Sequence, residues 1–179
     1  MNTIKAHLNV GIALCLIVIG VSLRLLPHPA NFAPIAAISI FGGSVLPRKL
    51  AVWVPLVAMM LSDVVIGLYS LMPVIWGCYA LIALASSLWL RQPTLLKGAV
   101  LTVSSSVFFF VVTNFAVWLA SGMYPHSWSG IVACYTLAVP FFRNTLLSDA
   151  IYTSALFGVY ALATAQSKKL LKVASQTPN

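Results

Sequence analysis

Two acidic residues lie inside long apolar stretches of the chain, where an ionisable group is costly. Asp63 falls within the apolar run 50–69, and Asp149 falls within the run 145–165. Ionisable side chains inside a membrane are rare and commonly mark a binding site or a transport pathway. Cys78, near the start of another apolar run, is a soft ligand suited to a transition metal. These three side chains are the first candidates for chemistry in the sequence.

The acids also have a structural interpretation. Asp63 could pair with Arg24, and Asp149 could pair with Arg143, because acids in membrane segments usually find a partner. Such pairs would hold helices together without binding any solute. Both interpretations predict that the acids face the interior of a helix bundle.

The cysteines leave alternatives open as well. Cys15 lies among Leu, Ile and Val and is typical of a small core residue. Cys78 could be a core residue, a metal ligand, or one half of a disulfide with Cys134 in an oxidising compartment. No Cys-x-x-Cys or His-x-x-x-His spacing occurs, so the sequence does not predict a metal held by the protein itself.

Further polar and aromatic candidates lie near these acids or in the loops beside them. They are His28, Asn31, Trp76, Tyr79, Arg143 and Asn144. The tryptophan could instead belong to an aromatic belt at the membrane surface, and the histidine could be an ordinary interfacial residue. Around Asp149, polar side chains recur at helical spacing in two stripes, which are Thr145, Asp149 and Thr153, and Asn144, Ser148 and Tyr152. This pattern predicts a face turned into a bundle, through a cavity or through interhelical hydrogen bonds.

The composition identifies the elements that must position these residues. Only 12 of 179 residues are charged, whereas 61% are hydrophobic. A soluble domain has about 25% charged residues, and a disordered chain has low hydrophobicity, so both classes are excluded. Apolar runs long enough for membrane helices, or nearly so, cover residues 8–26, 32–46, 50–69, 74–90, 97–121 and 145–165. We therefore expect one all-α transmembrane domain over residues 1–179, a bundle of six transmembrane helices, with residues 122–144 forming a structured outer loop that contains a short helix at 130–139.

The cations predict the orientation of this bundle. With six spans, eight of the ten basic residues fall on the side of the two termini, namely Lys5, Arg48, Lys49, Arg91, Lys97, Lys168, Lys169 and Lys172. The positive-inside rule then places both termini in the cytoplasm. The net charge of +8 is explained in this way without a nucleic-acid partner. The candidate residues accordingly fall in the outer half of the bundle.

Three stretches carry a resemblance to a known family. Residues 24–43 (Arg-Leu-Leu-Pro-His-Pro-Ala-Asn-Phe-Ala-Pro-Ile through Gly-Gly), 55–63 and 140–149 resemble the substrate-binding S components of energy-coupling-factor (ECF) vitamin transporters. Cys78 at the outer start of the fourth span resembles the cysteine of the BtuM group, which are solitary S components for cobalamin. The resemblance covers nearly the whole chain.

The resemblance implies an ECF S-component-like bundle in the bacterial inner membrane. It implies capture of cobalamin, vitamin B12, as the bound substrate on the periplasmic face, followed by uptake. The Cys78 thiolate would be the cobalt ligand and the catalytic group in removal of cyanide from cyanocobalamin. Its pocket would include His28, Asp63, Tyr79 and Arg143, with Asn31, Trp76, Asn144 and Asp149 nearby.

Energy and partners remain open at this point. No nucleotide-binding motif occurs, so ATP hydrolysis would come from an ECF energising module. The first span carries only Gly11-xxx-Cys15 where S components have a small-xxx-small docking signal, so dependence on that module stays undecided. The alternatives are an S component for another vitamin or small molecule, and a structural membrane subunit without cargo.

Overall fold

The computed structural model describes residues 2–174, and this part of the chain forms six α-helices and no β-strand. They are α1 (Asn2–Leu25), α2 (Ile35–Val45), α3 (Arg48–Ile66), α4 (Met72–Trp89), α5 (Leu95–Ala120) and α6 (Trp128–Ala174). Over the same residues, all helices except α2 are long and apolar enough to cross a membrane. The chain is therefore a multi-pass helical membrane protein.

Local sequence explains where several helices begin and end. Pro47 precedes α3, and a proline near the start of α4 suits a position where a backbone N–H has no helical partner. The Thr94 side chain caps α5 by accepting a hydrogen bond from the backbone N–H of Lys97 at 3.2 Å. Gly67 ends α3 with a φ of 113°, a conformation that favours glycine.

The second helix is shorter than the predicted span. Its 11 residues extend about 16 Å, roughly half of a bilayer's hydrocarbon core. Residues 35–44 are all buried, so α2 is surrounded by other helices rather than by lipid. The residues between α1 and α2 are exposed from 26 to 31 and become buried only at Pro34, where the chain enters α2.

Successive helices run in alternating directions. Arg24 and Asp63 meet at the carboxyl ends of α1 and α3, and Trp76 at the start of α4 reaches the same point. We call this the Asp63 end. At the opposite end, Leu90, which follows the last residue of α4, packs with Leu101 from the first half of α5. We call that the basic end, and the helix starts and loops there carry Lys5, Arg48, Lys49, Arg91 and Lys97.

The last helix corrects the predicted boundary. The sequence predicts a loop with a short helix over 122–144, whereas α6 runs without interruption from Trp128 and contains Pro140. The connection between α5 and α6 is therefore only residues 121–127. A helix of 47 residues measures about 70 Å, so it exceeds a bilayer core of about 30 Å and extends beyond it. Proline is tolerated inside membrane helices because neighbouring helices, Ser and Thr side chains and local adjustments of the backbone satisfy the polar groups that it leaves free.

Candidate functional site

An ion pair joins α1 and α3 at the Asp63 end. Arg24 Nη2 lies 2.6 Å from Asp63 Oδ1, and Arg24 Nη1 donates to Ser62 Oγ at 2.5 Å. The indole Nε1 of Trp76 donates to the other carboxylate oxygen, Asp63 Oδ2, at 2.8 Å. The Asp63 side chain is almost fully buried, so the pair is withdrawn from solvent and its charges compensate each other. Of the two structural pairings considered for the acids, this one is confirmed.

The second acid has a different environment. Asp149 is 2% exposed, and Ser106 Oγ on α5 donates to Asp149 Oδ2 at 2.7 Å. The alternative pairing of Asp149 with Arg143 is wrong, because the only ion pair among the described side chains is that of Arg24 and Asp63. Arg143 is exposed instead. The carboxylate of Asp149 is thus hydrogen-bonded to a neutral hydroxyl and has no neighbouring cation in the described part of the chain.

Polar side chains of α6 hold the loop between α1 and α2 in place. Asn144 Nδ2 donates to the carbonyl oxygen of Ala30 at 3.0 Å, and Ser148 Oγ donates to that of Ala33 at 3.1 Å. In the same loop, Asn31 adopts a φ of 61°, in the left-handed region that asparagine tolerates. The buried members of both predicted stripes show that this side of α6 faces the bundle, and Asn144 and Ser148 position the loop.

These elements enclose a polar cavity of about 240 Å³ at the Asp63 end. All helices except α2 contribute to its wall. The lining residues are Arg24, His28, Asn31, Ala33, Met59, Ile66, Tyr69, Ile75, Tyr79, Phe109, Thr145 and Asp149. The cavity is thus bounded by one basic, one acidic and three aromatic side chains besides His28.

The aromatic side chains form one wall of the cavity. The rings of Tyr79 and Phe109 are stacked, with centroids 5.1 Å apart and an interplanar angle of 24°. Tyr69 lies in the loop between α3 and α4. Burial, and next the charge of Asp63, raise the pKa of the Tyr69 phenol, although Arg24 opposes this. The Tyr69 hydroxyl therefore remains protonated at neutral pH and can donate a hydrogen bond.

His28 stands at the loop side of this cavity. Its Nδ1 lies 2.8 Å from the carbonyl oxygen of Pro29, and its Nε2 lies 3.3 Å from the carbonyl oxygen of Arg24. Both ring nitrogens therefore face the backbone. The imidazole fixes the shape of the loop more than it offers a free nitrogen to a solute.

The predicted site residues fall into three groups according to their position relative to the cavity. His28, Asn31, Tyr79 and Asp149 line the cavity. Asp63, Trp76 and Asn144 do not line the cavity but support its wall. Asp63 pairs with Arg24 and accepts a hydrogen bond from Trp76, and Asn144 holds the loop between α1 and α2. Arg143 and Cys78 are not among the lining residues, since the arginine is exposed and the cysteine is 2% exposed within the helix packing.

Sequence reasoning missed several lining residues. Tyr69 and Thr145 carried a signal, because one ends the apolar run 50–69 and the other belongs to the Asp149 stripe. Phe109 carried none, since it sits in a run of three phenylalanines that resembles any lipid-facing stretch. The cysteines Cys78 and Cys134 are both free and buried, so the disulfide considered for them is not formed.

Fold and site together define a helical membrane protein with a polar cavity near one end of its bundle. The chain belongs to a family of unknown function, DUF6580, which matches residues 4–172. Comparisons with curated proteins and with solved structures gave no match.

Proposed function

We propose that the protein is a solute-binding membrane protein of the S-component type. It captures a small organic molecule at the Asp63 end and passes it across the membrane. The observation that carries this proposal is the cavity of about 240 Å³ at the Asp63 end, whose lining includes Arg24, Tyr69 and Asp149. A cavity with a few convergent polar groups is the ordinary form of a small-molecule site.

The charge distribution supports the direction of capture. The helix starts and loops of the basic end carry most of the cations, so the positive-inside rule orients that end toward the cytoplasm. The Asp63 end, with the cavity, then faces outward. In a bacterium, the protein would lie in the inner membrane with the cavity on the periplasmic side. The chain crosses the membrane six times if the short α2 and its flanking residues count as one passage.

Cobalamin is the ligand that the resemblance favours, with Cys78 as cobalt ligand and agent of decyanation. The position of Cys78 supports the idea, since Tyr79, the next residue along α4, lines the cavity. The size of the cavity limits whether cobalamin can bind in the conformation described. Sites for drug-sized ligands span about 300–1,000 Å³, and a corrinoid is larger than such ligands. Cobalamin binding therefore requires the cavity to widen and the buried thiol to become part of its wall. A smaller solute needs neither change.

The test for cobalamin uses purified protein in detergent. A cobalt–thiolate bond would alter the absorption spectrum of added cobalamin, and Cys78→Ala would abolish that change. Cys15→Ala is the matched control, because Cys15 is exposed on α1 and is not among the residues that line the cavity. A spectrum that is identical with and without Cys78 overturns cobalt ligation.

Uptake is tested in cells. If the protein transports cobalamin by itself, it rescues growth of a bacterium that lacks cobalamin uptake. Rescue only together with an ECF energising module would assign the energy source to that partner. If no rescue occurs under either condition, cobalamin is not the transported solute, and mass spectrometry of co-purified small molecules then identifies whether another solute occupies the cavity.

A further inference from the structure

The lining of the cavity contains a carboxyl group that has no cationic partner among the described side chains. Arg24 lies there, but its guanidinium is engaged by Asp63 at 2.6 Å, and this pair is neutral as a whole. Asp149 also lines the cavity, and no cationic side chain among those that the structure describes lies within ion-pair distance of it. His28 turns both ring nitrogens toward backbone oxygens. With Asp149 ionised and His28 neutral, the formal balance of these groups is one negative charge.

This charge is located where leaving it unbalanced is costly. Asp149 is 2% exposed and sits in a membrane-spanning helix. The hydroxyl of Ser106 supplies one hydrogen bond at 2.7 Å but no counter-charge. A buried carboxylate without a cation is strongly disfavoured, so a proton or a cationic ligand must balance it when the site is in use.

The aromatic side chains of the lining are suited to a cationic ligand. Tyr79 and Phe109 both line the cavity as a stacked pair, and Tyr69 adds a third ring. The face of an aromatic ring attracts an ammonium or guanidinium group through its quadrupole, most strongly where water is excluded. A carboxylate beside aromatic rings is therefore a combination that recognises positively charged nitrogen.

We infer that the solute is a small organic cation, an ammonium or amidinium compound whose charged nitrogen contacts Asp149 and lies against Tyr79 and Phe109. The volume of about 240 Å³ limits it to a compact molecule. This inference rests on the proposed capture function and names its substrate class. Asp149 is the counter-ion, whereas Arg24 with Asp63 forms a neutral part of the wall.

The experiment compares probes of equal shape and different charge. Dissociation constants are measured by calorimetry in detergent for choline and 3,3-dimethylbutan-1-ol, benzylammonium and benzyl alcohol, and guanidinium and urea. We expect at least one cation to bind ten-fold or more tightly than its neutral counterpart. Asp149→Asn, which keeps the shape of the side chain, should remove that preference. Thr153→Val, one turn further along α6 and outside the cavity, should leave it unchanged.

A second variant keeps the test decisive if Asp149→Asn does not fold. Phe109→Leu keeps an apolar wall and removes an aromatic face, so it should weaken the cation several-fold and leave the neutral probe unaffected. Neutral probes that bind as tightly as cations, or cation binding unchanged in Asp149→Asn, would overturn the inference.

The failure of this inference can be separated from failure of the proposed function. If a neutral or anionic solute co-purifies with the protein, capture stands and the cationic class is overturned. If no probe binds and no solute co-purifies, the proposed capture function is overturned together with the inference.

Discussion

Asp63 and Asp149, two acids of the same type, have different structural roles because of what surrounds each carboxylate. Asp63 has a guanidinium at 2.6 Å and an indole N–H at 2.8 Å, whereas Asp149 has a single hydroxyl donor. The sequence showed that both positions were costly. It could not decide which acid had a partner, because Arg24 and Arg143 lie at similar places beside apolar runs. Only the packing of α1 against α3 makes that distinction.

Asp63→Asn should destabilise the protein strongly. It leaves the mostly buried guanidinium of Arg24 without a counter-charge, and breaking a buried pair from one side costs about 3–5 kcal/mol. Thermal unfolding in detergent, followed by tryptophan fluorescence, measures the loss.

The double variant Arg24→Met with Asp63→Leu is the matched control. Replacing both members of a buried pair with apolar residues is often neutral or stabilising. We expect the double variant to be more stable than Asp63→Asn. If it is less stable, the pair does not act as a compensated unit.

Cys78 should be unreactive toward a water-soluble maleimide in the folded protein. Its side chain is 2% exposed and the cavity wall does not include it. Labelling is measured by mass spectrometry on a variant in which Cys15 and Cys134 are replaced by Ala, before and after denaturation. Rapid labelling of the folded protein would show that the thiol opens to the cavity, as cobalt ligation requires.

At the scale of the helices, hydropathy located most elements but not their ends. The apolar runs predicted α1, α3, α4 and α5 to within several residues. Pro140 was interpreted as a break, because proline ends most helices of soluble proteins. In α6 it is an interior residue, and this lengthens the helix by 17 residues toward its start. Hydropathy also cannot distinguish α2, a buried half-length helix, from a complete span.

The contact between α2 and α4 depends on a glycine. A Cβ built on Gly43 would lie 2.5 Å from Ser86 Cβ and 2.6 Å from the backbone oxygen of Ala83. Ser86 Oγ also donates to the carbonyl oxygen of Ile40 at 2.5 Å, so the two helices are close over a full turn. Gly43→Ala should therefore force them apart and cost about 1–3 kcal/mol, measured by thermal unfolding.

Gly42→Ala is the control for this prediction. Its Cβ would meet Leu46 and Leu16 at 3.8 and 3.9 Å, which are ordinary contacts. We expect Gly42→Ala to be close to neutral. Equal destabilisation by both substitutions would mean that helix propensity, rather than the close approach of α4, determines the effect.

At the scale of the whole molecule, charge and topology agree. Alternating helices bring the cations of α1, α3, the α4–α5 loop and α5 to the basic end, away from the cavity. The sequence alone predicted this separation through the positive-inside rule. It could not predict the cavity, which arises from residues of five helices and the loop between α1 and α2.

The orientation predicts the accessibility of the short α5–α6 connection. A cysteine introduced by Ser127→Cys should react with a membrane-impermeant maleimide added outside intact spheroplasts, because residue 127 is exposed near the Asp63 end. Lys49→Cys, at the basic end, should react only after the membrane is permeabilised. The opposite pattern would reverse the orientation.

The most direct measurement asks whether the cavity holds the solute. Ala33→Phe places a large ring in the cavity, and Ala155→Phe places the same ring on the exposed surface of α6. Small molecules bound to the wild type and to both folded variants, extracted in mild detergent, are identified by native mass spectrometry. We expect the same solute on the wild type and on Ala155→Phe, and no solute on Ala33→Phe. A solute retained by Ala33→Phe, or no solute on the wild type, would contradict capture by this cavity.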